Sequence, residues 1–157
     1  MLTQAQLVAL KANIDADQEL SAYPNNSDGA FAIAAIYNQI VSPSFIVWKT
    51  SVAVDEIMSN GFVWTAVDGL TNGKARIWEW MSRIGSINPS KANIRQGLAD
   101  AFGANSAMSD AIAPHLKRQA TRIEKLFATG TGSNNSPAKM DYEGPVSYQE
   151  IELARSL

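Results

Sequence analysis

The chain has no cysteine and only one histidine in 157 residues. Without thiols there are no disulfides and no thiolate metal sites. With His115 alone, no two-histidine metal or catalytic pair can be built, and that residue is expected on a helix surface. No apolar run approaches the roughly 18 residues of a membrane-spanning helix, so no membrane contact is expected. The first twenty residues lack a basic start, a continuous apolar stretch and a small-residue cleavage site, so no signal peptide is expected. No serine has a GxSxG context. Gly130-Thr131-Gly132 follows a helix pattern and carries no lysine where a phosphate loop needs one. Asp55 and Glu56 are adjacent, so on a helix they point apart and make a poor carboxylate pair. These gaps leave no acid–base pair, nucleophile–base pair or metal set. The expectation is a non-catalytic protein with no cofactor.

What the chain does have is apolar content and an uneven charge. Hydrophobic residues make up 46%, enough for a core, against a net charge of −2. Residues 1–70 hold two cations against seven carboxylates, a net of −5. Residues 71–128 hold nine against four, a net of +5, and residues 129–157 carry a net of −2. Acidic and basic faces of neighbouring copies, or a basic part near DNA, would use that asymmetry.

Periodicity predicts a mainly α fold, a compact bundle of about five to six helices. Thr3 and Gln6 form a capping box before Leu7, Leu10 and Ile14. Ser27 or Asp28 caps a helix whose face is Ile33, Ile36, Tyr37 and Ile40. Residues 45–48 and 62–64 are aromatic and β-branched, and are open to reading as strands or buried connectors. Thr50 or Ser51 caps a short helix through Ile57. Thr71 or Asn72 caps another, with Ile77, Trp80, Met81 and Ile84 on its apolar face and Trp78 on a different one. Asn88-Pro89 starts a helix with the face Ile94, Leu98, Ala101 and Phe102, and Gly103 is a candidate left-handed cap. Residues 104–113 hold a turn and one helical turn.

The focal stretch is residues 112–137. Leu116, Ala120, Ile123 and Phe127 are spaced four, three and four apart, which predicts one long helix with Pro114 in its first turn. Lys117, Arg118, Arg122 and Lys125 line its polar side as a candidate inter-subunit or DNA-facing surface. Residues 129–132 stop it. Gly130, Gly132 and Pro137 then form a hinge, dividing a helical body of residues 1–128 from a linker and arm of residues 129–157. The arm carries the anchors Met140, Tyr142, Val146, Tyr148, Ile151 and Leu153, and ends in a short helix opened by a Ser147–Glu150 capping box.

Residues 121–154, TRIEKLFATGTGSNNSPAKMDYEGPVSYQEIELA, resemble the C-terminal part of small structural proteins of tailed bacteriophages. The matching positions are Glu124, Leu126, Phe127, Gly130, Gly132, Ser136, Pro137, Glu143, Gly144 and Ser147. Within that group the resemblance is to head–tail connector proteins, the adaptor or head-completion family. It implies a helical subunit of a ring, commonly of twelve copies, beneath the portal protein, with tail or head-completion proteins as further partners. It also implies a lumen that passes genomic DNA with non-specific contact, assembly in the host cytoplasm, and a C-terminal segment that grips the portal. Other phage structural roles (tail completion, minor capsid, decoration) and a DNA-binding or regulatory helical module are the alternatives.

Overall fold

The computed structural model describes residues 1–103 and 105–157. In chain order the helices are α1 (Gln4–Ala16), α2 (Gln18–Ser21), α3 (Ser27–Tyr37), α4 (Val54–Ser59), α5 (Thr65–Asp68), α6 (Asn72–Arg83), α7 (Ala92–Phe102), α8 (Ser106–Ile112), α9 (Arg122–Leu126) and α10 (Tyr148–Arg155). The strands are β1 (Ile46–Trp48), β2 (Val52–Ala53), β3 (Ser86–Ile87), β4 (Lys117–Gln119), β5 (Ala128–Thr129) and β6 (Lys139–Met140). They pair as β1 with β4, β2 with β3 and β5 with β6. The fold is mainly helical, as the periodicity predicts. Instead of one bundle of five to six helices, the described residues form ten helices, many of them a turn or two long.

The chain divides into two compact units. The first is discontinuous, Met1–Phe45 with Gln119–Leu157, and the second is Ile46–Arg118. The boundary expected after residue 128 is therefore not where the chain divides. The core of the first unit joins Leu7, Leu10 and Ile14 of α1, Ile33 and Tyr37 of α3, Ile123 of α9, and Ile151 and Ala154 of α10. The core of the second joins Val52, Ile57, Phe62, Trp78, Met81, Leu98, Phe102, Met108, Ile112 and Leu116. Phe62 stacks on Trp78, with ring centroids 5.1 Å apart, and Phe102 meets both rings edge-on.

The long helix expected over residues 112–128 does not form. Residues Ala113–Leu116 are a 3₁₀ turn containing Pro114, Lys117 is extended, and the chain runs through β4 before α9 begins. Thr121 starts α9 with a complete capping box to Glu124. The apolar stripe has helical spacing but serves two cores: Leu116 is buried in the second unit and Ile123 in the first. Capping signals elsewhere hold at Thr3–Gln6 and Ser147–Glu150. Others move. Asn26, not Ser27 or Asp28, caps α3. Neither Thr50 nor Ser51 caps α4, which starts from Ala53 without a side-chain cap. Asn88 accepts from the Ser90 amide and hydroxyl, and α7 begins after Lys91. Gly103 ends α7 at φ −59, a right-handed conformation. Residues 46–48 are a strand and residues 62–64 are not. Ala104 of the turn expected over 104–113 lies outside the described residues.

Half of the face expected on α6 is buried: Ile77 and Met81 turn inward, and Trp80 and Ile84 do not. Trp78 is 7% exposed and packs in the aromatic core, whereas Trp80 and Ile84 are each 64% exposed. With Trp78 joining Ile77 and Met81, the buried sector is rotated about the helix axis away from Trp80 and Ile84.

Candidate functional site

The residues expected to form a free arm are part of the first unit. Met140, Val146 and Ile151 are buried there. The Tyr148 ring stacks on Phe31 with centroids 4.0 Å apart. Tyr142 lies edge-on to Phe127, and its hydroxyl donates to the Pro145 carbonyl at 2.6 Å. Leu153 alone is about half exposed. Two long-range hydrogen bonds fix the segment: Asn38 donates to the Val146 carbonyl and accepts from the Val146 amide, both at 2.9 Å. The buried Glu124 carboxylate accepts from the Gly144 amide at 3.1 Å while closing its own capping box at Thr121.

The expected hinge is a closed loop. β5 and β6 pair antiparallel, Ala128 opposite Met140 and Thr129 opposite Lys139. Ser133 and Ser136 exchange backbone hydrogen bonds across the loop tip. Gly132 has φ +65, and a Cβ there would run into the Phe45 ring. The glycines therefore permit a tight, packed turn rather than a swivel.

The four expected cations do not share one stripe. Lys117 and Arg118 lie on β4 and belong to the second unit, and Arg122 and Lys125 lie on α9 in the first. Arg122 and Lys125 face a cavity of about 730 Å³ lined also by Asn13, Tyr37, Gln39, Ile40 and Ser42. An Arg122 Nη2 donates to Asp17 Oδ2 at 3.0 Å, and its guanidinium lies 5.6 Å from the Tyr37 ring centroid. The Lys125 ammonium sits 5.5 Å from the Phe45 ring centroid. Tyr37 donates its hydroxyl to Asn13 Oδ1 at 2.7 Å. Burial first, with the Asp17 charge adding and Arg122 opposing, pushes the Tyr37 phenol up to about 12. It stays a neutral donor. Asp17 is held below the usual carboxylate range, first by the Leu20 amide hydrogen bond; burial opposes this, and the Glu19 amide and Arg122 assist. The cavity is thus rich in donors and cations. It can receive a carboxylate or another acceptor-rich group, and its lining includes no nucleophile paired with a base.

His115, expected on a helix surface, sits instead on the 3₁₀ turn in the second unit, 20% exposed, with Nδ1 3.5 Å from Glu56 Oε1 and Nε2 3.3 Å from the Asn60 carbonyl. Lys49 Nζ donates to the same Glu56 oxygen at 2.9 Å. That Lys49 hydrogen bond is the first reason the Glu56 carboxyl is held low; burial works against it, and His115 helps. The cluster gathers Lys49 and His115 around the Glu56 carboxylate. Among the described residues no group of three histidines and carboxylates is arranged to hold a metal, and no helix is long and apolar enough to cross a membrane. The Asp17–Arg122 pair spans 105 positions, and no local pattern announces a contact of that separation. Comparison with known protein families, curated proteins and solved structures finds no match for this chain.

Proposed function

We propose that the protein is a structural component of a tailed-bacteriophage virion, a head–tail connector subunit that works by assembly and not by catalysis. The observation that carries this reading is the set of large apolar side chains left uncovered on helices and turns of both units. Phe31 in the first unit, and Trp64, Trp80 and Ile84 in the second, are all more than half exposed. Tryptophan and phenylalanine left in water on ordered elements favour a protein that is covered by a partner. The resemblance of residues 121–154 supplies the setting: a ring of copies beneath the portal, with DNA passing through the lumen. Engagement of the portal runs through folded surfaces, since the C-terminal segment is built into the first core.

Particle composition and location test the reading. Peptides of the chain are expected in purified virions, and cryo-microscopy is expected to place it as a ring between portal and tail. Absence from the particle, or scattered density over the capsid shell, overturns it. Sequence-selective duplex binding with a steep salt dependence would favour a regulatory module instead.

A further inference from the structure

Two surfaces, one on each unit, have the form of a knob and a hollow. The knob is the outer face of α6. Trp80 and Ile84 are one helical turn apart, and Arg76 lies one turn before Trp80, so the three side chains follow one line along the helix. Arg83 beside them is paired with Glu79. Arg76 and Lys74 have no acidic partner among the described residues. Exposed tryptophan next to an unpaired arginine is the composition of an interface anchor.

The hollow lies in the first unit, after α2. Glu19, Ala22, Tyr23 and Pro24 line an open, shallow hollow of about 280 Å³. It is preformed. Arg155 donates to both the Tyr23 and Pro24 carbonyls at 2.9 Å. Gly29 backs directly onto Pro24, where a Cβ would collide with the Pro24 carbonyl. Glu19 at the rim and Asp28 on the following helix have no cationic partner among the described residues. The nearby Arg155 is already committed to the two carbonyls.

We infer that Trp80 of one copy enters the hollow at Tyr23 and Pro24 of a second copy, with Arg76 meeting Glu19. The inference rests on the ring reading and names its subunit contact. In a ring this contact is heterologous: each copy offers both halves, and the chain of contacts continues until rotation closes it. The charge balance fits that pairing. The first unit holds five cations against nine carboxylates, net −4, and the second eight against six, net +2. Opposite net charges orient the encounter and make it weaken with salt.

The full chain in sedimentation velocity, over a range of concentration and salt, tests the contact. Assembly beyond a dimer is expected, weaker at high salt. Trp80→Ala is expected to weaken association at least tenfold, with helical circular dichroism unchanged because the side chain is exposed. Arg76→Glu and Glu19→Arg should each weaken assembly, and the double exchange Arg76→Glu/Glu19→Arg should restore it. A chain that stays monomeric or stops at a dimer overturns the inference, as does full assembly in Trp80→Ala or a double exchange that fails to rescue. A duplex or single-stranded DNA oligonucleotide that binds the wild type but not Trp80→Ala, without self-assembly, would assign the knob to nucleic acid and also overturn it. The connector reading fails separately. A ring seen at the neck despite failed rescue keeps that reading and removes this contact. Rescue in a protein absent from virions does the reverse.

Discussion

Gly132 shows how one side chain, or its lack, fixes a loop. Its φ of +65 already disfavours any L residue, and the Phe45 ring occupies the space a Cβ would need. Gly132→Ala combines a left-handed penalty with a clash against the half-buried Phe45 ring and is expected to destabilise the first unit by roughly 2–3 kcal/mol, read as a lower midpoint in urea. A true hinge would tolerate the change. Asp17 gives a pH prediction. Its carboxyl is depressed in the folded state, foremost by the Leu20 amide. A depressed acid contributes stability above the ordinary carboxylate pKa of about 4 and loses it as pH falls through the lowered folded value. Asp17→Asn should therefore be less stable than the wild type at neutral pH, and the two melting curves should converge in acid. A constant gap across pH would show that the pair with Arg122 contributes through packing alone. At the other end of the scale, Tyr37 is raised from 10.0 to about 12, so its neutral form is favoured on folding. That contribution is complete below pH 10 and fades between the two values, and Tyr37→Phe should flatten the alkaline arm of the stability profile.

At the scale of elements, α10 decides between an arm and a core. Ile151 and Ala154 have no exposure and pack with α1 and α3. Ile151→Ala is expected to cost about 2–5 kcal/mol, because the cavity it leaves is enclosed by helices that cannot fully collapse. Removal of residues 130–157 should leave the first unit unable to fold, seen as loss of its cooperative transition. An arm would leave that transition untouched. The elements also show where the chain was readable. Thr3–Gln6 and Ser147–Glu150 are local devices, complete within four residues, and both are where the pattern puts them. Thr121–Glu124 is the same device, yet it lies inside an unbroken apolar stripe, so the spacing hides the start of α9. Trp78 and Trp80 carry the same side chain two positions apart, and only the packing of Phe62 and Phe102 against Trp78 decides which is buried. The cation-lined cavity was half legible: Arg122 and Lys125 are a visible pair on one short stretch. Their companions Asn13, Tyr37 and Ser42 come from sequence positions far away.

At the scale of the whole molecule, the discontinuous first unit is the feature no periodicity carries. Residues 1–45 end at Phe45, and the Phe45 carbonyl accepts from the Ala120 amide at 2.9 Å. The chain therefore leaves this unit and returns to it at adjacent points. Below the crossing, Val41 donates to the Ala120 carbonyl and Arg122 to the Gln39 carbonyl. Ends this close make the loop between them thermodynamically replaceable, since closure cost depends weakly on length once the gap is short. Its core is separate as well: the buried side chains of Ile46–Arg118 form their own cluster around Trp78 and Phe102. A chain in which residues 46–118 are replaced by a short Gly-Ser linker is expected to fold, with α1, α3 and α10 intact and the Asp17–Arg122 pair retained. Circular dichroism and a single cooperative melt check the first point, and the acid-dependent stability of the shortened chain checks the second. It should lose all assembly, because the knob of α6 is gone while the hollow at Tyr23 and Pro24 remains. Added full-length protein should still cap it: Trp80 of the intact chain enters the hollow of the shortened one, and growth stops there. Mixed species of defined mass that vanish with Trp80→Ala in the full-length partner are the expected result. An unfolded shortened chain would show that the first unit needs its insertion, and a folded one that recruits no partner would place the copy-to-copy contact elsewhere.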